Sequence, residues 1–293
     1  MHTLSGKSVY PVGVGTFGIA GWENPATAET LRYVGYKNIE PATGNEETEL
    51  DGLATWLTSG ANYLDTAELY GAGYTQTVVG RAIHATGVAR ADLFVSGNVW
   101  KSSYGAVRKA VEGMLERLGT DYLDVAGLHS PHTSGWQAPD WESAIVDFRI
   151  LIAEGIVRGL SVSNFTIDHM VRAMELTGLP VRTAQMGFSI NYQKEVTTEF
   201  RSFCAAHGIQ VVAYQPLQPD VLENAAVQAV AAAHDATPAQ VALAWTIHMG
   251  TLPITKTVNR DRIKENLAAP GVHLTDDEME LLRAGGRGTR GSN

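Results

Sequence analysis

The amino-acid sequence predicts an α/β protein, a (β/α)8 TIM barrel, because short apolar runs alternate with amphipathic helical stretches along most of its length. The runs at 61–65 and 209–214 have the length and apolar content of buried parallel strands. Between such runs, apolar residues recur at steps of three and four, as in 107–118. Since 293 residues is an ordinary length for one barrel, we predict a single domain over residues 1–293.

The predicted elements follow one another in a regular order. The first strand and its loop lie within 12–18, and later strands are predicted at 61–65, 93–100, 122–129, 159–163, 182–187, 209–214 and 252–254. The barrel helices are predicted at 50–57, 78–83, 107–118, 141–152, 167–176, 197–207, 238–248 and 260–267. Two extra helices are predicted at 221–233 and 275–282.

Residues 24–44 interrupt this order. Asn24-Pro25, Gly35 and the stretch 41–44 are turn signals, and no helical or strand period survives between them. We interpret the segment as an insertion on the barrel rim. A lid, a contact between subunits and a tolerated surface loop are all compatible with it.

Composition limits the kinds of partner and the compartment. A net charge of −9 and a pI near 5.5 argue against a nucleic-acid partner. No run of 18 apolar residues occurs and the start lacks an apolar targeting segment, so we expect no membrane association. The single cysteine, Cys204, allows no internal disulfide and fits a reducing cytoplasm. No metal site is expected, and the oligomeric state is left open.

One glycine pattern has the letters of a dinucleotide fingerprint. Gly13, Gly15 and Gly18 form G-x-G-x-x-G. That fingerprint requires a helix to open at its third glycine, but a loop-like stretch with Trp22 and Pro25 follows. We therefore reject a Rossmann site and assign the pattern to the first barrel strand.

A carboxylate and a phenol follow the predicted strand at 61–65. Asp65 stands at its end, and Tyr70 lies five residues later in a glycine-flanked loop. An acid and a proton donor at the carboxyl end of a barrel strand are typical of an active site. The alternative is that Asp65 caps the turn and Tyr70 only packs.

The stretch Asp65-Thr-Ala-x-x-Tyr70-Gly resembles the signature of the aldo-keto reductases. Five further stretches resemble that family in the same order, each at the end of a predicted strand. They read L-H-S-P at 128–131, S-V-S-N-F at 161–165, A-Q at 184–185, A-Y-Q-P-L at 213–217, and I-T-K-T-V at 254–258 followed by R-I-K-E-N at 262–266. Six matches in order, all on the face where barrels place their chemistry, make the resemblance specific.

The resemblance implies a catalytic set of aspartate, tyrosine, lysine and histidine. Asp65, Tyr70 and His129 match three of these, but Asn98 stands where the lysine is expected. A lysine would assist proton donation by tyrosine, whose ordinary pKa is about 10. Without it, Asp65 should lack a charged partner, which should raise its pKa. Lys101 should face the other way on an extended strand, unless the strand end bends.

The resemblance also implies NADP(H) as cofactor. Two cations and a hydroxyl, Lys256, Thr257 and Arg262, resemble the clamp on its 2′-phosphate, which favours NADP over NAD. The other implied cofactor residues are Thr16, Phe17, Asp65, Ser163, Asn164, Gln185, Tyr214, Gln215, Leu217, Glu265 and Asn266. Phe17, Trp100 and Ser130 are expected to wall the substrate pocket.

These observations predict an NADP(H)-dependent oxidoreductase that reduces an aldehyde, ketone or sugar carbonyl by direct hydride transfer, with Tyr70 as proton donor. Two alternatives stay open because Asn98 replaces the lysine. One is elimination or isomerisation on the same scaffold with a retained nicotinamide cofactor. The other is a non-catalytic NADPH-binding subunit or sensor. A third possibility is that Asn98 is a neutral hydrogen-bonding substitute and reductase activity persists.

Overall fold

Eight parallel strands form a closed barrel in the computed structural model, which describes residues 2–19, 46–132 and 140–286. Each barrel strand pairs with its neighbours in chain order, and β10 closes the ring against β3 and β9. The strands are β1 His2–Leu4, β2 Lys7–Val9, β3 Gly13–Gly15, β4 Tyr63–Ala67, β5 Phe94–Val99, β6 Val125–Leu128, β7 Leu160–Ser163, β8 Val181–Gly187, β9 Gln210–Tyr214 and β10 Leu252–Thr255. The predicted barrel is therefore confirmed, whereas the predicted rim insertion at 24–44 lies outside the described residues.

Helices surround the barrel and return the chain from the end of one strand to the start of the next. They are α1 Glu46–Thr58, α2 Tyr74–Thr86, α3 Val107–Leu118, α4 Trp141–Ile145, α5 Phe148–Ala153, α6 Ile167–Thr177, α7 Thr198–Ala206, α8 Pro219–Leu222, α9 Ala225–Ala233, α10 Pro238–His248, α11 Arg260–Ala268 and α12 Asp276–Gly285. No helix among these is long and apolar enough to cross a membrane.

Two predicted helices are wrong as single elements. The stretch 141–152 forms α4 and α5, because Asp147 bonds back three residues to Ala144 instead of four. The stretch 221–233 forms the end of α8 and then α9, because the Asn224 side chain accepts from the backbone N–H groups at the start of α9. An N-cap of this kind starts a new helix and ends the previous one.

An N-terminal hairpin, which the sequence did not predict, closes the amino end of the barrel. Strands β1 and β2 pair antiparallel, and Leu4 and Val9 join the apolar cluster inside the barrel. Asn62 fixes the hairpin, since its amide donates to Ser8 O at 2.8 Å and its oxygen accepts from Tyr10 N at 2.9 Å. The hairpin thus fills the amino end of the barrel, opposite the carboxyl ends of the strands.

The glycine pattern of the first strand has a packing role. A Cβ placed on Gly13 would lie 2.9 Å from the Tyr63 ring, which fills the barrel interior together with Phe94. The two rings stack at a centroid distance of 5.3 Å. Gly13 thus makes room for an aromatic layer beneath the site, and the rejection of a Rossmann fingerprint is confirmed.

Candidate active site

A cavity of about 700 Å³ opens at the carboxyl ends of the barrel strands. Apart from Thr16 and Asn98, all the residues predicted for catalysis, cofactor or substrate line it: Phe17, Asp65, Tyr70, Trp100, His129, Ser130, Ser163, Asn164, Gln185, Tyr214, Gln215, Leu217, Lys256, Thr257, Arg262, Glu265 and Asn266. This volume lies within the range of small-molecule sites. Among the described residues, no group of His, Cys, Asp or Glu side chains is arranged to hold a metal ion.

Thr16 and Asn98 lie behind the cavity wall and are fully buried. Thr16 donates from its backbone N at 3.2 Å and from its hydroxyl at 2.8 Å to the carbonyl oxygen of Asp65. It therefore fixes the end of β4 against β3. Its role in this structure is to position Asp65 from behind.

Asp65, Asn98 and Gln185 form a buried hydrogen-bonded triangle. Asn98 Nδ2 donates to Asp65 Oδ1 at 3.2 Å and to Gln185 Oε1 at 3.0 Å. Gln185 Nε2 also donates to Asp65 Oδ1. Asn98 Oδ1 is buried without a partner among the described residues, so the triangle leaves one acceptor unused. Three side chains from β4, β5 and β8 thus meet in the barrel interior.

Burial without a cation shifts the titration of Asp65. Desolvation raises the pKa of Asp65 to about 7, although the hydrogen bonds from Gln185 and Asn98 oppose the shift. Asp65 forms no ion pair with any described residue. No lysine, arginine or histidine nitrogen in that part of the chain therefore lies within 4 Å of its carboxylate. The carboxyl group is therefore partly protonated near neutral pH, as the replacement of lysine by Asn98 leads one to expect.

Tyr70 is held in a tight turn between β4 and α2. The turn Tyr70–Gly73 contains three consecutive residues with positive φ, at 57°, 52° and 91°. Two are glycines, and the third is Ala72, which pays a conformational cost there. The Tyr70 ring makes edge-to-face contacts with Phe17 at 5.2 Å and His129 at 5.8 Å. The phenol is thus fixed beside the imidazole at the cavity wall.

His129 follows β6 and is neutral near neutral pH. Burial, with a smaller contribution from the charge of Lys101, lowers the pKa of His129 to about 4. Its Nδ1 atom is buried with no hydrogen-bond partner among the described residues. A neutral imidazole has one N–H donor and one acceptor nitrogen. It can therefore orient a carbonyl oxygen without transferring a proton to it.

The next strands supply amides and an aromatic ring. Asn164, with a left-handed φ of 62°, donates from Nδ2 to His129 O at 3.0 Å and to Ser163 Oγ at 3.2 Å. Tyr214 OH donates to Asn164 Oδ1 at 2.8 Å. Ser163, Asn164 and Tyr214 thus form one connected group next to the catalytic candidates. The backbone carbonyl of Gln185 accepts from Asn164 N at 2.9 Å, so this group adjoins the Asp65 triangle.

The cationic arm of the cavity is the part lined by Lys256, Thr257, Arg262, Glu265 and Asn266. Lys256 Nζ donates to Gly18 O at 3.2 Å, and desolvation lowers its pKa while the charge of Glu49 raises it. Arg262 is exposed and has no acidic partner among the described residues. Glu265 accepts from Thr237 Oγ1 at 2.5 Å, so its carboxylate is already engaged. The arm therefore presents an available guanidinium and a lysine to an anion.

Lys101, which was expected to face away unless the end of its strand bends, lines the cavity because that end does bend. Strand β5 ends at Val99, and a short helical turn over Lys101–Ser103 changes the direction of the chain. Glu68 stabilises this turn by accepting from Trp100 N at 3.1 Å and Ser103 Oγ at 2.5 Å. The polar run at 101–105, which ends in glycine, was the signal of a turn. Sequence reasoning missed the lining residues Leu69, Pro216, Gln218, Leu222 and Ala239.

Known proteins resemble this chain over most of its length. A model of the Aldo/keto reductase family matches residues 34–285. An aldo-keto reductase of Mycobacterium sp. (strain MCS) is 34% identical over 244 residues, which cover 81% of this chain and 82% of that protein. The glyoxal reductase of Bacillus subtilis (strain 168) is 30% identical over 82% of this chain and 84% of its own length.

Solved structures show the same fold. The thermostable aldo-keto reductase Tm1743, crystallised with the inhibitor epalrestat, superposes with a TM-score of 0.81 at 27% identity, covering 97% of this chain and 98% of its own. An aldo/keto reductase from Brucella melitensis gives a TM-score of 0.78 at 26% identity, with 97% of each chain covered. By its sequence, its fold and its relatives, this chain belongs to the aldo/keto reductase family of oxidoreductases.

Proposed function

We propose that this chain is an NADP(H)-dependent oxidoreductase that reduces an aldehyde, ketone or sugar carbonyl, with Tyr70 as proton donor. The observation that carries the proposal is the placement of the Tyr70 phenol and the neutral His129 imidazole side by side in the cavity, in ring contact at 5.8 Å. A carbonyl oxygen there meets both an orienting group and an acidic O–H. The glyoxal reductase relative supports a carbonyl substrate.

The cavity residues fit a phosphorylated dinucleotide. Arg262 has no acidic partner among the described residues and lies at the cationic arm with Lys256 and Thr257. A guanidinium and an ammonium suit a 2′-phosphate, whereas a 2′-hydroxyl would give the Arg262 guanidinium no negative charge to pair with. Asn266 and Glu265 line the same arm, where adenine would lie. When bound, the nicotinamide supplies the hydride for reduction.

The protein's own residues carry out the proton transfer. Tyr70 gives its hydroxyl proton to the carbonyl oxygen, which His129 holds by a hydrogen bond. Asn98, a neutral amide, stands where the family resemblance implies a lysine, and it donates to Asp65 instead. We therefore propose that this enzyme reduces activated carbonyls and is slow with unactivated ketones, because a neutral amide stabilises the developing phenolate less than an ammonium would.

One observation favours a second candidate. Asp65 lines the cavity and its pKa is about 7, which suits a general acid or base at neutral pH. Elimination or isomerisation with a retained nicotinamide cofactor would use such a group. A non-catalytic NADPH-binding subunit would use neither Asp65 nor Tyr70 chemically.

The absorbance of NADPH at near-ultraviolet wavelengths distinguishes these functions. The purified protein is mixed with NADPH and a panel of aldehydes, ketones and sugars, and NADPH loss is followed. Net loss that disappears in Tyr70→Phe supports the reductase. NADPH binding without net loss favours the two alternatives, and absence of NADPH binding contradicts all three.

A further inference from the structure

Lys101 is a cation on the substrate side of the cavity with no ion-pair partner in residues 2–19, 46–132 and 140–286. It lines the cavity next to Trp100, and its Nζ lies 5.5 Å from the centre of the Trp100 ring. Within the described part of the chain, it takes part in no ion pair and donates no hydrogen bond. The ammonium of Lys101 therefore faces the cavity, and no described carboxylate pairs with it.

Two carboxylates that the structure describes beside the end of β5, Glu68 and Asp65, do not pair with Lys101. Glu68 is occupied by Trp100 N and Ser103 Oγ. Asp65 is buried in the triangle with Asn98 and is partly protonated near neutral pH. The pKa of Lys101 is lowered by desolvation, and no acidic group raises it. A half-buried ammonium with no acidic partner among the described residues gains from a counter-charge, and an anionic ligand in the cavity would supply one.

The position of Lys101 relative to the reacting group sets the geometry of that ligand. The Trp100 ring contacts the His129 ring at 5.1 Å and Lys101 at 5.5 Å. Lys101 and His129 thus both lie beside one indole, and the charge of Lys101 is close enough to lower the pKa of His129. One small molecule can therefore place an anionic group on Lys101 and a carbonyl on His129.

We propose that the physiological substrate is an oxo acid, whose carbonyl binds at Tyr70 and His129 and whose carboxylate, several bonds away, pairs with Lys101. This inference rests on the proposed carbonyl reduction and adds the substrate class. A single cation without further donors matches a singly charged carboxylate better than a doubly charged phosphate. The aromatic wall of Phe17 and Trp100 accommodates the apolar part between the two groups.

Two aldehydes of matched shape test the assignment. 4-Carboxybenzaldehyde and 4-methylbenzaldehyde are compared by kcat/KM with NADPH for wild type, Lys101→Met and Lys101→Arg. We expect wild type to prefer the carboxylate by about 10-fold, which corresponds to about 1.4 kcal/mol. Lys101→Met should lose this preference and Lys101→Arg should retain most of it. Added salt should weaken the preference in wild type, since the pair is only half buried.

Direct binding keeps the test independent of turnover. Calorimetric titration of 4-carboxybenzaldehyde into the protein–NADP+ complex should give a Kd about 10-fold weaker for Lys101→Met than for wild type. If wild type reduces both aldehydes equally, or if the methionine variant keeps the preference, the assignment of Lys101 is wrong. If neither aldehyde is reduced but the Kd difference persists, the carboxylate site stands and the reductase proposal fails.

Discussion

The side-chain amide of Asn98 donates a hydrogen bond to the carboxylate of Asp65, with Nδ2 and Oδ1 3.2 Å apart and both residues buried. A neutral amide thus occupies the place where the family resemblance implies a lysine ammonium. Asp65 has no cationic partner among the described residues, and its pKa is about 7. An amide in place of an ammonium beside Asp65 should affect both catalysis and the pH dependence of stability.

Restoring the cation should increase reduction of activated aldehydes. In Asn98→Lys, the ammonium would pair with Asp65 and favour the phenolate that forms when Tyr70 gives up its proton. We expect NADPH oxidation with such aldehydes to rise, with the acidic limb of the pH profile displaced. The measurement is initial rate against pH for wild type and variant.

Asn98→Met is the control for side-chain length. It is similar in length to lysine and uncharged, but it removes the same hydrogen bonds to Asp65 and Gln185. A gain confined to the lysine variant supports the electrostatic account. Identical rates in the two variants would remove charge from the explanation, and a loss in both would show that Asn98 serves the native reaction.

Tyr70→Phe should abolish carbonyl reduction while NADPH binding survives. Loss of a positioned acid costs of the order of 10²-fold or more in rate. The ring contacts of Tyr70 with Phe17 and His129 can persist in phenylalanine, so the cavity wall should stay intact. Tyr74→Phe, whose exposed phenol bonds Glu46 outside the cavity, is the matched control. Near-normal turnover in the Tyr70 variant would assign protonation to another group.

Arg262→Ala should weaken NADPH binding and leave NADH binding almost unchanged. One lost charge-assisted contact to a phosphate costs about 1.5–3 kcal/mol. Arg260→Ala is the control, because Arg260 lies in the same helix but pairs with Asp51 away from the cavity. Fluorescence titrations of both cofactors give the dissociation constants. Equal affinity of wild type for NADPH and NADH would contradict the assignment of this arm to a 2′-phosphate.

Asp65→Asn should change the pH dependence of the free energy of unfolding. The folded-state pKa of Asp65, about 7, lies above the ordinary aspartate value of about 3.9. The folded protein therefore binds this proton more tightly, and the stability it contributes is present below pH 4 and lost as pH rises to 7. An asparagine keeps an acceptor for Asn98 and Gln185 but does not ionise.

The stability of Asp65→Asn relative to wild type should therefore rise between pH 4 and pH 7, by at most about 1.4 kcal/mol for each unit of pKa shift. Urea denaturation of both proteins at several pH values gives the difference. His129, whose pKa of about 4 is depressed, has the opposite slope, since its contribution is present above pH 6.5 and lost as pH falls towards 4. Because His129 is present in both proteins, its slope cancels in the difference. A pH-independent difference would show that Asp65 is not protonated in the folded protein.

The barrel and the kinds of side chain around its mouth could be predicted from local patterns in the chain. A strand or helix with a buried face carries apolar residues at a regular spacing along the chain. Such elements can therefore be predicted from the local sequence. The motifs at the strand ends predicted where polar side chains would converge, because parallel strands share one carboxyl face. Tyr70 was placed at the cavity from its position after a strand, whereas His129 and Arg262 were placed there by the resemblance to the aldo-keto reductases.

The tertiary structure alone decided how those residues contact one another. Gln185 lies 120 residues from Asp65 and reaches it only because closure of the barrel brings β8 towards β4. Lys101 enters the cavity because Glu68, itself bound to Asn98 O through its backbone N–H, stabilises a turn after β5. These contacts join segments far apart in the chain. Their distances depend on strand register and on closure of the barrel, neither of which produces a pattern in the local sequence.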